Sequence, residues 1–376
     1  MKKIFYISFE PINERFIKSY FLRDLIDSKC NINYLHFNYS KSKNSNNAKI
    51  KNISFFDIHS IKELSSFIKK NNVTTNFIVL LFLPYDNITK NIYRLFCNSR
   101  MKLIYFDWGS FPISRSSQDN KILLFLLNQP IFDFFRIFYS KLLIRKCFPV
   151  DFLFFSGSSP RTLHLLNPIN KRNIDFFDTV TFKNIKKKNN NLKREYAVFL
   201  DVNMTNHPDF DLLNISKINP VVYYENINEF FEYLEKKYNI DVVIAAHPTL
   251  QVSEYKNYNN RIVIKSNTAE LVSSSKFVIT HHSTSISFAL LAFKPIIFVY
   301  NNHIAHHLRK NVFKSILGQA YALNQPKINI SFRKEFENFS LDYNEKRYRR
   351  FLKKYIYTGK SSSHPSKTFL SNLNHY

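Results

Sequence analysis

Glycine is scarce in this chain of 376 residues, which contains only Gly109, Gly157, Gly318 and Gly359. The dinucleotide-binding fingerprint GxGxxG and the phosphate-binding loop GxxxxGK[ST] both need closely spaced glycines, and neither pattern occurs. Gly157 lies in "SGSSPRT", which does not contain the G-x-S-x-G turn of a serine hydrolase. The sequence therefore argues against a dinucleotide oxidoreductase, a P-loop NTPase and a hydrolase of that type.

Cysteine and long apolar runs are also lacking. Cys30, Cys97 and Cys147 have no metal-ligand spacing and form no even disulfide set, which is typical of a reducing cytoplasm. "VLLFLP" and "ILLFLLNQPIF" end at polar residues too early to span a bilayer. The apolar stretch "IFYISF" after the first three residues is too short for a signal peptide. We therefore expect a cytoplasmic protein.

Acidic residues are few, with 28 Asp and Glu against 54 Lys and Arg and a net charge of +26. Lysine, asparagine, isoleucine and phenylalanine are all abundant, which indicates a codon-biased genome as much as selection for a polyanion. The remaining excess of positive charge favours an anionic partner such as lipid headgroups or a nucleotide. Nucleic acid is disfavoured because the basic residues are dispersed and no recognised nucleic-acid module is present.

The remaining pattern is an alternation of strands and helices. "KIFYISF" (3–9), "NERFIKSYFLRDLIDS" (13–28) and "INYLHFN" (32–38) begin it as strand, helix and strand. A second alternation runs from "EYAVFLD" (195–201) to "PIIFVY" (295–300). Apolar strands that alternate with helices indicate parallel sheets covered on both faces. The sequence therefore predicts an α/β fold with two Rossmann-like, doubly wound domains facing a cleft.

The domain boundaries follow from composition. "KNIKKKNNNLKR" (183–194) is basic and poor in apolar residues, so it is the predicted linker between a domain at 1–182 and a domain at 195–330. Residues 331–376 form a basic helical tail, with "EKRYRRFLKKYIY" (345–357) as its helix. The aromatic and basic segment 121–147 is either a pair of core helices or a segment lying on an anionic membrane. A peripheral association with the inner membrane is expected on these grounds.

Two segments of the second domain carry groups that suit a phosphate. "VVIAAHP" places His247 and Pro248 where a buried strand ends, and an imidazole there can donate to a phosphate oxygen or protonate a leaving group. "THHSTSISFALLAFKPIIFV" (280–299) has His281, His282 and several hydroxyls before an apolar helix. One hydroxyl is enough for a helix cap, so the surplus at Ser283, Thr284 and Ser285 indicates an anion site, with a redundant cap as the alternative. The alternative for His247 is a histidine that only caps a loop.

The order of these motifs resembles a known family. A strand ending in HP, a short helix, a strand followed by [ST]HxS[ST], and then "KPIIFV" is similar to bacterial GT-B-fold glycosyltransferases of surface-polysaccharide synthesis. The resemblance is strongest to the sialyltransferase, polysialyltransferase and Kdo-transferase kind, which use CMP-activated sugars, and it covers about residues 195–300. "AVFLDVNMTNHPDF" (197–210) is similar to the first strand and loop of their nucleotide-binding half.

The resemblance implies roles for particular residues. His247 would contact the departing phosphate and act as a general acid, and the hydroxyls of 283–285 would hold that phosphate. Glu270, in "NTAEL", would accept hydrogen bonds from the ribose hydroxyls, although a solvated carboxylate at a helix start is equally compatible with the pattern.

An inverting transferase also needs a carboxylate that deprotonates the acceptor hydroxyl. Asp107, in "DWGSF" after the strand "KLIYF", is the favoured candidate, and Glu10 after the first strand is its rival. Asp201, at a strand end of the second domain, is more suited to organising a loop. The D/E-D/E-G motif of some such enzymes is missing, and both favoured carboxylates can instead cap helices.

The function predicted is a metal-independent, inverting transfer of a sugar such as sialic acid or Kdo from a CMP-activated donor. The acceptor would be a lipopolysaccharide, a lipooligosaccharide or a capsule chain. No cofactor is expected beyond the nucleotide sugar, since the cluster His303, His306 and His307 has no fourth zinc ligand placed by spacing. The alternatives are a CDP-polyol phosphotransferase of cell-surface polymer synthesis and a non-catalytic polyanion-binding protein.

Overall fold

The computed structural model describes residues 3–9, 12, 14–37, 50–70, 77–80, 90–97, 102–108, 111–112, 149–160, 167–185, 194–207, 210, 217–308, 312–337, 339–357 and 364–374. Glu10, Gly109 and the 121–147 segment lie outside this set, and so does the predicted linker over residues 186–193. The chain divides into two compact units. The first unit comprises Met1–Trp108, Ile122–Phe177 and Tyr357–Tyr376, and the second comprises Gly109–Lys121 and Asp178–Ile356.

The first unit contains a parallel sheet of seven described strands, in the order β3-β2-β1-β4-β5-β6-β7. The strands are β1 (Lys3–Ser8), β2 (Asn31–Phe37), β3 (Ile53–Ile58), β4 (Phe77–Leu80), β5 (Lys102–Asp107), β6 (Pro149–Phe155) and β7 (Asn167–Asn173). Its helices are α1 (Glu14–Ser19), α2 (Leu22–Asp27), α3 (Ile61–Lys70) and α4 (Lys90–Cys97), followed by α5 (Phe177–Lys183) at the boundary of the two units. Strands β1 and β2 are almost entirely buried, as expected for a sheet covered on both faces.

The helix predicted over residues 13–28 is interrupted. Phe21 has φ of 60°, in the left-handed region, and separates α1 from α2. Its side chain is 2% exposed and packs against Phe106 and Trp108, with ring centroids 6.2 and 5.7 Å away. Aromatic packing in the core therefore accompanies a backbone conformation that is uncommon for a residue with a Cβ atom.

The second unit contains a parallel sheet of six described strands, in the order β10-β9-β8-β11-β12-β13. The strands are β8 (Tyr196–Leu200), β9 (Asp241–Ala246), β10 (Val263–Lys265), β11 (Val278–Thr280), β12 (Ile296–Tyr300) and β13 (Lys327–Asn329). The first strand is central, the next two lie on one side and the last three on the other, which is the Rossmann order. Ligands of such sheets bind at the carboxyl ends of the strands where the order reverses, here between β8 and β11.

The helices of the second unit cover this sheet. They are α6 (Pro220–Tyr238), α7 (Thr268–Ser274), α8 (Ile286–Leu291), α9 (Asn302–His307), α10 (Lys314–Leu323) and α11 (Glu345–Tyr355), and α12 (Pro365–Asn374) returns to the first unit. Asn219 begins α6 because its side chain accepts hydrogen bonds from the backbone N–H groups of Val221 and Val222. Asn239 ends it at φ of 50°, in the left-handed conformation that often ends helices.

The predicted basic helix of the tail is present as α11. Tyr348, Phe351, Leu352 and Tyr355 are buried, and the Lys and Arg side chains between them are exposed. The apolar face of α11 is therefore packed within the second unit, and its basic face meets solvent. Among the residues that the structure describes, no helix combines the length and the apolar character needed to cross a bilayer.

Candidate functional site

Three strands of the second unit end at one edge of the sheet. The register pairs Leu200 of β8 with Ala245 of β9 on one side and with Thr280 of β11 on the other. Asp201, His247 and His281 follow these strand ends, so residues far apart in the sequence are brought to the point where the strand order reverses.

Asp201 joins the loops that follow β8 and β9. Its carboxylate is 5% exposed, and it accepts hydrogen bonds from the backbone N–H groups of Asn203 at 2.8 Å and His247 at 3.1 Å. Burial raises the pKa of Asp201, and the two backbone donors oppose that rise because they stabilise the ionised form. Asp201 therefore organises this edge of the sheet, as its position in the sequence suggested.

His247 begins a tight turn. The backbone N–H of Leu250 donates to the carbonyl oxygen of His247 at 3.0 Å, and Pro248 occupies the second turn position, where its fixed φ is favoured. His247 Nδ1 lies 2.7 Å from the Thr249 hydroxyl and 3.3 Å from the Thr249 backbone nitrogen. His247 is half-buried and Pro248 is exposed. The turn thus holds one edge of the imidazole and fixes the direction of the ring.

His207, in the loop after β8, is a site residue that the sequence analysis missed. Its ring centroid lies 5.4 Å from that of His247, and its side chain is half-buried. Asn206 Nδ2 donates to Glu254 Oε1 at 2.7 Å and ties the same two loops together. The signal in the sequence was the pair His207-Pro208, which repeats the pair His247-Pro248.

His281 is fully buried beneath the site. Its Nδ1 lies 2.7 Å from the carbonyl oxygen of Val299 and its Nε2 lies 2.9 Å from the Tyr223 hydroxyl. A carbonyl oxygen can only accept, so Nδ1 carries the proton and Nε2 accepts from Tyr223. Burial lowers the pKa of His281 to about 4, so the ring is neutral at pH 7. Both nitrogens are engaged inside the protein, and neither is available to a phosphate in this conformation.

His282 differs from its neighbour. The residue is partly exposed, but its Nδ1 atom is enclosed and has no hydrogen-bond partner among the described residues. Burial, followed by the charges of His281 and His207, lowers the pKa of His282 to about 3. The register of β8 with β11 brings the loop after β8 beside the segment that contains His282.

The hydroxyls at the start of α8 are of two kinds, one buried and the others partly exposed. Ser287 is fully buried, and its hydroxyl donates to the carboxylate of Asp178 in α5. The Ser283 hydroxyl accepts from the backbone N–H of Ser285 at 3.2 Å. Ser283, Thr284 and Ser285 are all partly exposed, so this part of the surplus lies at the surface of the protein.

Backbone N–H groups at this helix start make hydrogen bonds within the turn. The backbone N–H groups of residues 286, 287 and 288 donate to the carbonyl oxygens three residues earlier, at 3.3, 3.2 and 3.1 Å. These donors are used within the turn, and α8 itself has only six residues. A phosphate bound here would therefore be held by side chains.

The remaining candidates are more scattered. Glu270 lies in the first turn of α7 and is partly exposed. Asp107 ends β5 of the first unit and is 5% exposed. Burial of Tyr105, followed by the charge of Asp107, raises the pKa of Tyr105 to about 12. The rings of His303 and His307 lie 4.6 Å apart, and within the described ranges no group of three or more His, Cys, Asp or Glu is placed to hold a metal ion.

Comparisons with known proteins match the fold and not the sequence. No family model and no curated protein matches the sequence. The calicheamicin glycosyltransferase CalG4 is similar with a TM-score of 0.54 and 10% identity, covering 100% of this chain and 98% of that chain. The chain has the GT-B fold. The predicted pair of Rossmann-like α/β domains is therefore confirmed.

Two further GT-B neighbours show how broad the likeness is. The S. aureus MnaA–UDP complex matches with a TM-score of 0.54 and 13% identity, covering 100% of this chain and 97% of that chain. A variant of the wall teichoic acid polymerase TagF matches with a TM-score of 0.50 and 12% identity, covering 100% of this chain and 88% of that chain. The likeness in each case is one of fold.

Proposed function

We propose that this chain is a glycosyltransferase that moves a sugar from a nucleotide donor to a cell-surface saccharide. The observation that carries the proposal is the meeting of the His247 turn, His207 and the hydroxyl-rich segment after β11 at one sheet edge. This edge is the Rossmann switch point of a GT-B fold, where a nucleotide is expected.

In the proposed reaction the bond between the sugar's anomeric carbon and the phosphate oxygen breaks, and negative charge develops on that phosphate. An imidazole N–H of His247 would donate to the departing oxygen, and the hydroxyls of Ser283, Thr284 and Ser285 would donate to its neighbours. Donors fixed on strand ends stabilise this charge without reorganising, so the transfer is proposed to need no metal ion. Glu270 would accept from the ribose hydroxyls.

The donor is proposed to be a CMP-activated sugar such as sialic acid or Kdo. The support is the order of the two motifs on β9 and β11 and the similarity of residues 197–210 to the first loop of CMP-sugar transferases. CMP is a monophosphate leaving group, whereas the MnaA complex contains the diphosphate nucleotide UDP. His282, neutral at pH 7, and the hydroxyls suit the smaller charge of a monophosphate.

The acceptor side of the proposal is inverting transfer to lipopolysaccharide, lipooligosaccharide or capsule chains, with Asp107 as the base. Asp107 is a buried carboxylate at a strand end, and Glu10 is the alternative base. The exposed basic face of α11 supports peripheral docking on an anionic inner leaflet, where such acceptors are anchored.

The test is a donor panel with purified protein and a chelator present. CMP-sialic acid, CMP-Kdo, UDP-sugars and CDP-glycerol are each incubated with lipooligosaccharide and capsule oligosaccharide acceptors, and free nucleotide and extended acceptor are measured. Transfer from a CMP-sugar in EDTA, lost in His247→Ala and kept in His306→Ala, is the expected result. His306 is an exposed histidine on α9 and serves as the matched control.

A CDP-polyol phosphotransferase would also release CMP, because the acceptor then attacks the second phosphorus. CMP release alone therefore does not distinguish the two reactions. The two reactions are distinguished by which donor, a CMP-sugar or CDP-glycerol, gives rise to the release. Release only from CDP-glycerol would replace the proposed reaction with a polyol-phosphate transfer. No release from any donor, with nucleotide binding also lacking, would favour a non-catalytic polyanion-binding protein.

A further inference from the structure

We infer that Thr249 and Asn203 are positioning residues that hold neutral His247 in the tautomer with its proton on Nε2. The catalytic consequence rests on the proposed function, whereas the tautomer follows from the contacts alone. Thr249 lies outside the sequence motifs that suggested the site, and Asn203 lies within the stretch 197–210 but was given no role there.

Two donors of Thr249 face His247 Nδ1. The backbone N–H of Thr249 points at this atom with a nitrogen–nitrogen distance of 3.3 Å. A backbone amide can only donate, so Nδ1 presents a lone pair and is not protonated. The Thr249 hydroxyl oxygen lies 2.7 Å from the same atom, and its single proton must therefore point to Nδ1.

The Thr249 hydroxyl is itself held by Asn203. Its oxygen accepts from Asn203 Nδ2 at 2.9 Å, which leaves the hydroxyl proton for His247. The orientation of the Asn203 amide is set by a second contact, in which Nδ2 donates to the carbonyl oxygen of Asn206 at 3.4 Å. A carbonyl oxygen cannot donate, so the amino group and not the oxygen of Asn203 faces this side.

Asn203 is fixed by burial and by its backbone. It is 2% exposed, has φ of 50°, and donates its backbone N–H to Asp201 at 2.8 Å. Asparagine is among the few residues that adopt this left-handed conformation readily. The donors therefore run in one direction, from Asn203 to Thr249 to His247.

The consequence is that Nε2 of the neutral ring is an N–H group. This is the nitrogen on the far side of the ring from the turn, and an N–H there donates to an anionic oxygen without a prior protonation step. With the opposite tautomer, Nε2 would present a lone pair that repels a phosphate oxygen. Thr249 and Asn203 thus determine which form of His247 meets the leaving group.

The tautomer can be read by NMR of the full chain labelled with ¹⁵N-histidine, at a pH where the rings are neutral. The signals of the 12 histidines are separated by long-range ¹H–¹⁵N correlation, and those missing in His247→Gln belong to His247. We expect a pyridine-type Nδ1 and a pyrrole-type Nε2. In Thr249→Val the Nδ1 signal should move toward that of an acceptor with fewer hydrogen bonds, and in Thr249→Ser it should stay close to the wild-type value.

Asn203→Gly, which keeps the left-handed backbone accessible, should shift the Nδ1 signal in the same direction by a smaller amount. If transfer is observed, Thr249→Val should lower kcat roughly tenfold with KM little changed, and Thr249→Ser should restore it. A pyrrole-type Nδ1, or an Nδ1 signal that is identical in Thr249→Val, would overturn the inference. A protein that binds no nucleotide but shows the expected Nδ1 signals would instead contradict the proposed function.

Discussion

The buried pair of Tyr223 and His281 lies beneath the sheet edge of the second unit at which β8 and β11 end. Tyr223 is 1% exposed, and its hydroxyl donates to His281 Nε2 at 2.9 Å. Tyr223→Phe would leave that nitrogen buried without a partner, which costs about 1–3 kcal/mol. Urea denaturation followed by circular dichroism should show this loss. Tyr321→Phe, at a side chain that is 57% exposed, is the control and should leave the midpoint unchanged.

The same pair predicts a dependence of stability on pH. Burial lowers the pKa of His281 from 6.5 to about 4 in the folded protein, so the unfolded chain binds a proton first as the pH falls. The stability contributed by the neutral ring is complete above pH 6.5 and is lost as the pH falls toward 4. The free energy of unfolding should therefore decline over this range, and the decline should be shallower in His281→Gln. Equal slopes in the two proteins would contradict this assignment.

The sequence indicated His247, His281 and His282 as candidate site residues but could not assign the directions of their side chains. His281 and His282 are adjacent and identical, and only the packing of α6 and β12 against the end of β11 shows which ring is engaged inside. His207 was missed because its contact with His247 spans two loops, and such contacts depend on the register of β8 with β9. Their binding roles remain predictions.

At the scale of single elements, the start of α8 separates two kinds of hydroxyl. Ser287 is buried and bonded to Asp178, whereas Ser285 is partly exposed. Ser287→Ala should lower the melting temperature and leave nucleotide affinity unchanged. Ser285→Ala should lower nucleotide affinity roughly fivefold with an unchanged melting temperature, because it removes one hydrogen bond to the proposed phosphate. Thermal unfolding and calorimetric titration of both variants test this, and the reverse pattern would show that Ser285 is the structural hydroxyl.

Helix α11 predicts an electrostatic mode of membrane docking. Its apolar side chains are buried, so the proposed attraction to a membrane would come from the exposed cations, each contributing about 1 kcal/mol near an anionic surface. Replacing Lys346, Arg350 and Lys353 by Gln should weaken binding to phosphatidylglycerol vesicles roughly 100-fold, as measured by sedimentation. Added salt should release the wild-type protein from the same vesicles. Wild-type binding that resists high salt would contradict this mode.

Some elements could be read from the sequence and others could not. The strands β1, β8, β9 and β12 are apolar except at their ends, and their burial follows directly from that pattern. Strand β7, "NPINKRN", was missed because it is polar and only partly buried. The predicted helix at 13–28 is two helices because Phe21 adopts a left-handed conformation, and its aromatic neighbours Phe106 and Trp108 lie far away in the sequence.

At the scale of the whole molecule, the alternation of strands and helices was sufficient to predict two Rossmann-like domains. The order of strands in each sheet was not readable, because it depends on which face each crossover helix covers. That order matters for function, since the reversal between β8 and β11 brings the loop of Asp201 beside the segment after Thr280.

The strand ends of the second unit are proposed to bind the phosphate of a nucleotide. Isothermal titration of the full chain with CMP, CDP, UDP and GDP tests it most directly, in the wild type, in His247→Ala and in the exposed control His306→Ala. We predict selective binding of a cytidine nucleotide that His247→Ala weakens at least tenfold and His306→Ala leaves unchanged. The absence of binding to any of the four nucleotides, or full affinity in His247→Ala, would contradict the account.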